Sequence, residues 1–204
     1  MTSQFEIFLR LGFEHISDVK GYDHILFIVA LTAGFPTKAW KKLLYLVTAF
    51  TVGHSITLAL STLQILTVSR DWIEFLIPLT IFVTAVYQVF ITSQLPLQAI
   101  PDAMQVASET KLLYPTTVFF GLIHGLGFSN FLRQLLGQEE NLFLPLFSFN
   151  LGLELGQIVI VGFAFLMIWF LTKVIKLQFR DTILVLMSGI SFLAFGMMFE
   201  RFPH

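Results

Sequence analysis

The sequence predicts an all-α protein, a polytopic membrane bundle of about six transmembrane helices with room for a seventh. Three observations lead there. Mean hydropathy is +0.82. Hydrophobic residues make up 56% of the chain and charged residues 12%, about half of the roughly 25% usual in soluble domains. The apolar residues fall in runs of about 20, the length a helix needs to cross a hydrocarbon core. The chain has 204 residues with no shift of composition, so one transmembrane domain, 1–204, holds every span.

Composition also narrows the chemistry. The formal net charge is −1, which leaves no electrostatic footprint for nucleic acid. There are no cysteines, so structural disulfides, thiolate metal sites and cysteine nucleophiles are excluded together. A metal held here is bound by nitrogen and oxygen.

Residues 1–21 carry charges throughout and lack the apolar core of a signal peptide. They read as an amphipathic lead-in. Spans follow at about 22–35, 43–63, 72–92, 113–132, 142–171 and 182–199, each an apolar run bounded by charge, proline or glycine. The fifth is long enough to be tilted or broken near its glycines. "SQLPLQAIPDAMQVASETK", between the third and fourth, is polar, holds two prolines and reads as the longest loop. No internal repeat stands out along the chain.

Lys38, Lys41, Lys42, Lys111, Lys173, Lys176 and Arg180 fall on one side of this topology. Arg10, Lys20, Arg70, Arg133 and Arg201 fall on the other. The positive-inside rule puts the first group in the cytoplasm and both termini outside. The expectation is a multi-pass protein of the bacterial inner membrane with periplasmic termini.

Ionisable groups at membrane depth are costly and usually face the bundle interior, where they mark ion or proton paths. Four of the five histidines, His15, His24, His54 and His124, lie in or beside spans. In "HISDVKGYDHILF", Asp23 and His24 open the first span. An adjacent Asp–His pair can give two ligands, or a ligand and its orienting group. Taken alone, Asp23 is equally an N-cap. In "FTVGHSITLALS", Thr51, His54 and Ser55 share a helical face with Leu58. "FFGLIHGLGF" sets His124 beside Gly121 and Gly125, a small-xxx-small step that presses neighbouring helices together. In "FNLGLELGQ", Asn150, Glu154 and Gln157 form one polar stripe, and a carboxylate as deep as Glu154 needs a cation, a proton or a donor pair. Measured at 1.5 Å per residue, His54 lies roughly 16 Å from the cytoplasmic end of its span. His124 and Glu154 lie at similar depths, so one shared site is within reach. Imidazoles with carboxylates suit Zn, Ni, Co or Fe, and the absence of sulfur disfavours Cu(I).

Together "GFEHISDVKGYDHILF", "TAFTVGHSITLALS", "FGLIHGLGF" and "FNLGLELGQ" resemble the HupE/UreJ family of small bacterial membrane proteins. That family is regarded as nickel or cobalt permeases accessory to hydrogenase and urease. The resemblance runs from Gly12 to Gln157. Seven residues separate His15 from Asp23, and "HGLGF" has a single histidine, so the chain looks like the family's divergent second branch. The resemblance implies that Asp23, His24, His54, His124 and Glu154 handle the metal, with His15, Asn150 and Gln157 as secondary residues.

Three functions fit. In the leading one, a divalent transition-metal transporter for nickel, cobalt or zinc, the ion is received by His15 and Asp23. It is then coordinated transiently by His24, His54, His124 and a carboxylate. The alternative is a membrane-embedded zinc-dependent hydrolase, with Glu154 as general base and Ser55 as nucleophile or polar contact. The third is a structural subunit whose polar groups only lock packing. Expected partners are the bilayer, the metal ion and metalloenzyme-assembly or respiratory membrane proteins, with further copies of the chain in an oligomer.

Overall fold

The structure, a computed structural model, describes residues 3–97, 113–136 and 142–203. Most of the expected long loop, with Lys111, lies outside the described residues, as does His204. Seven α-helices are described: α1 (Gln4–Ser17), α2 (Asp23–Ala33), α3 (Trp40–Thr62), α4 (Arg70–Ser93), α5 (Leu113–Leu136), α6 (Phe143–Trp169) and α7 (Phe179–Glu200). A π-helical turn, Phe170–Val174, prolongs α6.

The expected helical membrane bundle is what the chain forms. Four helices, α3, α4, α6 with its π-turn, and α7, are long and apolar enough to cross a bilayer. The other two expected spans differ for physical reasons. Helix α2 has 11 residues, roughly half of a crossing length. Helix α5 has 24, but its glycines, threonines and His124 dilute its hydropathy.

The lead-in becomes a helix because Ser3 and Glu6 close a capping box, each side chain bonded to the other's backbone N–H. Its exposed face pairs Arg10 with Glu14 at 2.7 Å, and its buried face presents Phe8, Gly12 and Ile16. That face packs along α6, so α1 belongs to the bundle.

Lipid offers no hydrophobic drive between helices, so association rests on close packing of small residues. The two most extensive contacts, α3 with α5 and α1 with α6, are built this way. A Cβ placed on Gly53 would lie 2.2 Å from the Val118 carbonyl oxygen, and one on Gly121 2.2 Å from that of Phe50. In the other pair, a Cβ on Gly12 would lie 2.0 Å from the Phe149 carbonyl oxygen, and one on Gly152 2.0 Å from that of Leu9. Only glycine permits this approach. Partners rise in number together, from Phe50 beside Gly121 to Ser61 bonded to Ser129 at 2.9 Å, so α3 and α5 run parallel. The same order holds in α1 and α6, from Leu9 beside Gly152 to Ile16 beside Gly156. Helices α4 and α7 pack antiparallel, with Phe75 near Phe202 and Phe82 near Phe195. At their other end the Arg180 guanidinium donates to the Ser93 carbonyl. Helix α2 wedges between α4 and α6.

Gly121→Val is expected to cost at least about 3 kcal/mol by overpacking. Gly189→Ala, at a glycine with open space around its Cβ position, should stay within about 0.5 kcal/mol of the parent. Thermal unfolding in detergent, read by the size-exclusion profile of heated samples, checks both.

Candidate metal centre

Each histidine reaches the centre from a different helix. His54 follows Gly53 and His124 sits one turn beyond Gly121, so the α3–α5 crossing carries both rings inward. His15 sits one turn beyond Gly12 and is carried in by the α1–α6 crossing. His24 enters on the first turn of α2. Its ring centroid lies 4.8 Å from that of His15, 5.0 Å from His124 and 5.9 Å from His54. The rings of His15 and His54 are 6.0 Å apart. His54 and His124 are wholly buried and His24 nearly so.

Buried polar atoms nearly always find hydrogen-bond partners, yet here a group of them does not. His15 Nε2, His24 Nε2, both ring nitrogens of His54 and His124 Nδ1 are buried without one. His124 Nε2 lies 2.9 Å from Thr80 Oγ1. The Thr80 hydroxyl donates to the Ile77 carbonyl at 2.7 Å, so toward the imidazole its oxygen accepts. That network assigns the proton to Nε2 and leaves Nδ1 with a bare lone pair.

Three carboxylates stand at the rim. Asp23 Oδ2 accepts from Arg201 Nη1 at 2.9 Å, while Asp23 Oδ1 is buried without a partner. Glu74 is paired with Arg70, and Asp18 Oδ1 accepts from the Lys20 backbone N–H. With His15, His24 and His124, these groups line a cavity of about 300 Å³. On the opposite side the cluster is shut by aromatic rings. Phe27 stacks on Phe50 at 4.9 Å, and both lie near His124, at 5.3 and 5.1 Å. Beyond Phe27 and Phe120 lies a second cavity of about 270 Å³, chiefly apolar.

In a tetrahedral site with metal–nitrogen bonds near 2.0–2.1 Å, imidazole centroids stand about 5 Å apart. The spacing of the cluster and its unpartnered nitrogens therefore fit a borderline divalent metal. The aim of the rings does not complete a site: among the described residues no set of three or more His, Asp or Glu side chains is poised to hold an ion as it stands.

A family model described as HupE / UreJ protein matches residues 1–201. The chain belongs to the HupE/UreJ family. Neither the curated proteins nor the solved structures hold a significant match to it.

In this HupE/UreJ protein the sequence-derived candidates divide into two groups. His24, His54 and His124 come together, with Asp23 beside them at the cavity. His15, ranked as secondary from sequence, stands inside the cluster. Glu154 is held by the Thr48 hydroxyl, and Gln157 Oε1 accepts from Thr51 Oγ1 at 2.8 Å. Asn150 Oδ1 is buried without a partner. Glu154 and Gln157 clasp α6 to α3. Ser55 donates to the Thr51 carbonyl of its own helix at 2.6 Å. Sequence reading missed Thr80, because a threonine in a helix ordinarily bonds back to its own turn. It also missed Arg201, for which the need of Asp23 for a cation was a signal.

Thr80→Val should weaken metal binding about 10- to 100-fold, the usual effect of losing a group that orients a ligating imidazole. Thr80→Ser should restore most of it. Isothermal titration with nickel or zinc reads both.

Proposed function

We infer that this HupE/UreJ protein carries a divalent transition metal, nickel, cobalt or zinc, across the bacterial inner membrane. The observation that carries the reading is the cluster of four imidazoles from four helices, with five buried, unpartnered nitrogens and a cavity lined by three of the rings and by carboxylates. A permeation site must bind its ion and release it, and neutral imidazoles can do both as protons exchange with the metal. Carboxylates at the rim attract the cation, and the imidazoles replace its water. The family's standing as nickel or cobalt permeases points the same way. With the lysine-rich connections in the cytoplasm, as the positive-inside rule favours, both termini are periplasmic and the cavity opens on the periplasmic side. Metalloenzyme-assembly proteins are the natural recipients of the ion.

A zinc hydrolase draws less support. It needs fixed ligands around an open water position and a general base beside that water, whereas Glu154, the base in that reading, is held by the Thr48 hydroxyl and does not line the cavity.

Reconstituted vesicles should accumulate radiolabelled nickel, cobalt or zinc. His24→Ala should reduce uptake at least about tenfold, since the residue touches all three other rings. Only an unprotonated imidazole offers a lone pair, so metal affinity should fall once the medium is acidic enough to protonate the rings. Vesicles that take up none of the three metals would remove the reading.

A further inference from the structure

Two helix pairs that are distant in sequence share one crossing, contact by contact. A Cβ on Gly53 would meet the Val118 oxygen at 2.2 Å and the Leu122 nitrogen at 2.9 Å; one on Gly152 would meet the Leu9 oxygen at 2.0 Å and the Phe13 nitrogen at 2.9 Å. A Cβ on Gly121 would meet the Phe50 oxygen at 2.2 Å and the His54 nitrogen at 3.1 Å. One on Gly12 would meet the Phe149 oxygen at 2.0 Å and the Leu153 nitrogen at 3.1 Å. A single register carries α3 onto α6, with Phe50 on Phe149 and Gly53 on Gly152. Another carries α5 onto α1, with Gly121 on Gly12 and His124 on His15.

The remaining pair follows suit. Helix α4 opens Arg70-Asp71-Trp72-Ile73, and α7 carries Arg180-Asp181-Thr182-Ile183 at its start. In that register Leu76 falls on Leu186 and Phe82 on Phe192. Helices α4 and α7 also pack antiparallel on each other, as elements exchanged by a two-fold axis can. Each follows its predecessor across a short connection, so α3 and α6 run in opposite directions, and α5 and α1 with them. The halves are therefore α3–α4–α5 and α6–α7–α1, inverted, with the last helix of the second half supplied by the N-terminus. Permutation and inversion hide the relation from a reading along the chain. Helix α2 alone among the described helices has no counterpart, and it inserts His24 between His124 and its equivalent, His15.

Secondary transporters place their cargo site between inverted repeats and move by exchanging the conformations of the two halves. We propose that this chain is such an inverted repeat and that its two halves exchange conformations. The histidine cluster, open here beside Glu74 and Ile77, then opens in a second state beside their equivalents, Leu184 and Met187. The exchange rests on the transport reading above; the repeat does not. The present structure is asymmetric in the required sense. Glu74 and Ile77 line the cavity beside the histidines, and Leu184 and Met187 do not.

The chain has no cysteines, so single Ile77→Cys, Glu74→Cys, Met187→Cys and Leu184→Cys variants can be labelled directly. A membrane-impermeant maleimide is applied to sealed vesicles of each orientation, with and without nickel ion. Ile77→Cys and Glu74→Cys should label from one face. Met187→Cys and Leu184→Cys should label only from the opposite face, and more slowly by about tenfold or more if a minor conformer of roughly 0.1–10% carries the reaction. Nickel should move the two rates in opposite directions. Leu184, only half-buried, carries the test if Met187→Cys fails to fold. The proposal is overturned if both equivalents stay unlabelled from the opposite face, if all four label from the same face, or if nickel moves the rates together or leaves them unchanged. Metal uptake without opposite-face labelling would sink the exchange and leave the transport reading standing. Opposite-face labelling with no uptake of any metal would do the reverse.

Discussion

Everything in this molecule depends on how closely two pairs of parallel helices touch. At Gly53 and Gly121, and again at Gly12 and Gly152, backbone meets backbone with no room for a methyl group. In lipid, where apolar surface gains little by meeting apolar surface, such contact is the main source of association. The Thr57 hydroxyl reinforces the first crossing by donating to the Leu122 carbonyl at 2.7 Å. Three of the four clustered imidazoles sit beside or one turn beyond one of these glycines. Separating either pair by the width of a side chain would draw the rings apart.

The consequence is a buried group of unpartnered donors that a purely structural core would not keep. An unsatisfied buried polar atom costs about 1–3 kcal/mol, and the cluster holds five ring nitrogens in that state together with one oxygen of Asp23. A cation that uses the lone pairs among them recovers much of that cost when it binds, one nitrogen of each neutral ring keeping its proton. The surroundings have matching roles. Thr80 sets the tautomer of His124, Arg201 holds one oxygen of Asp23 and leaves the other free, and Phe27 and Phe50 close the far side. Glu154 and Gln157, bound to Thr48 and Thr51, fasten α6 to α3 next to the cluster.

Much of this was legible in the residues, and what was not had physical causes. Long apolar runs announced α3, α4, α6 and α7, because crossing a bilayer demands length and hydropathy together. His24, His54 and His124 stood out because polar rings in such runs need a reason. His15 was harder to rank, since it lies on a helix with a charged face, and only the packing of Gly12 on Phe149 brings it inward. Thr80 and Arg201 act through partners 44 and 178 residues away, distances that no local pattern encodes. The kinship of Gly12-x-x-His15 with Gly121-x-x-His124 was written in the chain. It gained meaning only when both pairs were seen to cross alike.

The central claim is that the two glycine-mediated crossings, with α2 inserted between them, bring imidazoles from four helices into one metal-binding group. X-ray absorption at the nickel or zinc edge of the metal-loaded protein tests it most directly. The account predicts a shell of nitrogen and oxygen with outer-sphere scattering from about three or four imidazoles, diminished by one ring in the His15→Ala and His24→Ala variants alike. A bound metal with an all-oxygen shell and no imidazole scattering would contradict it.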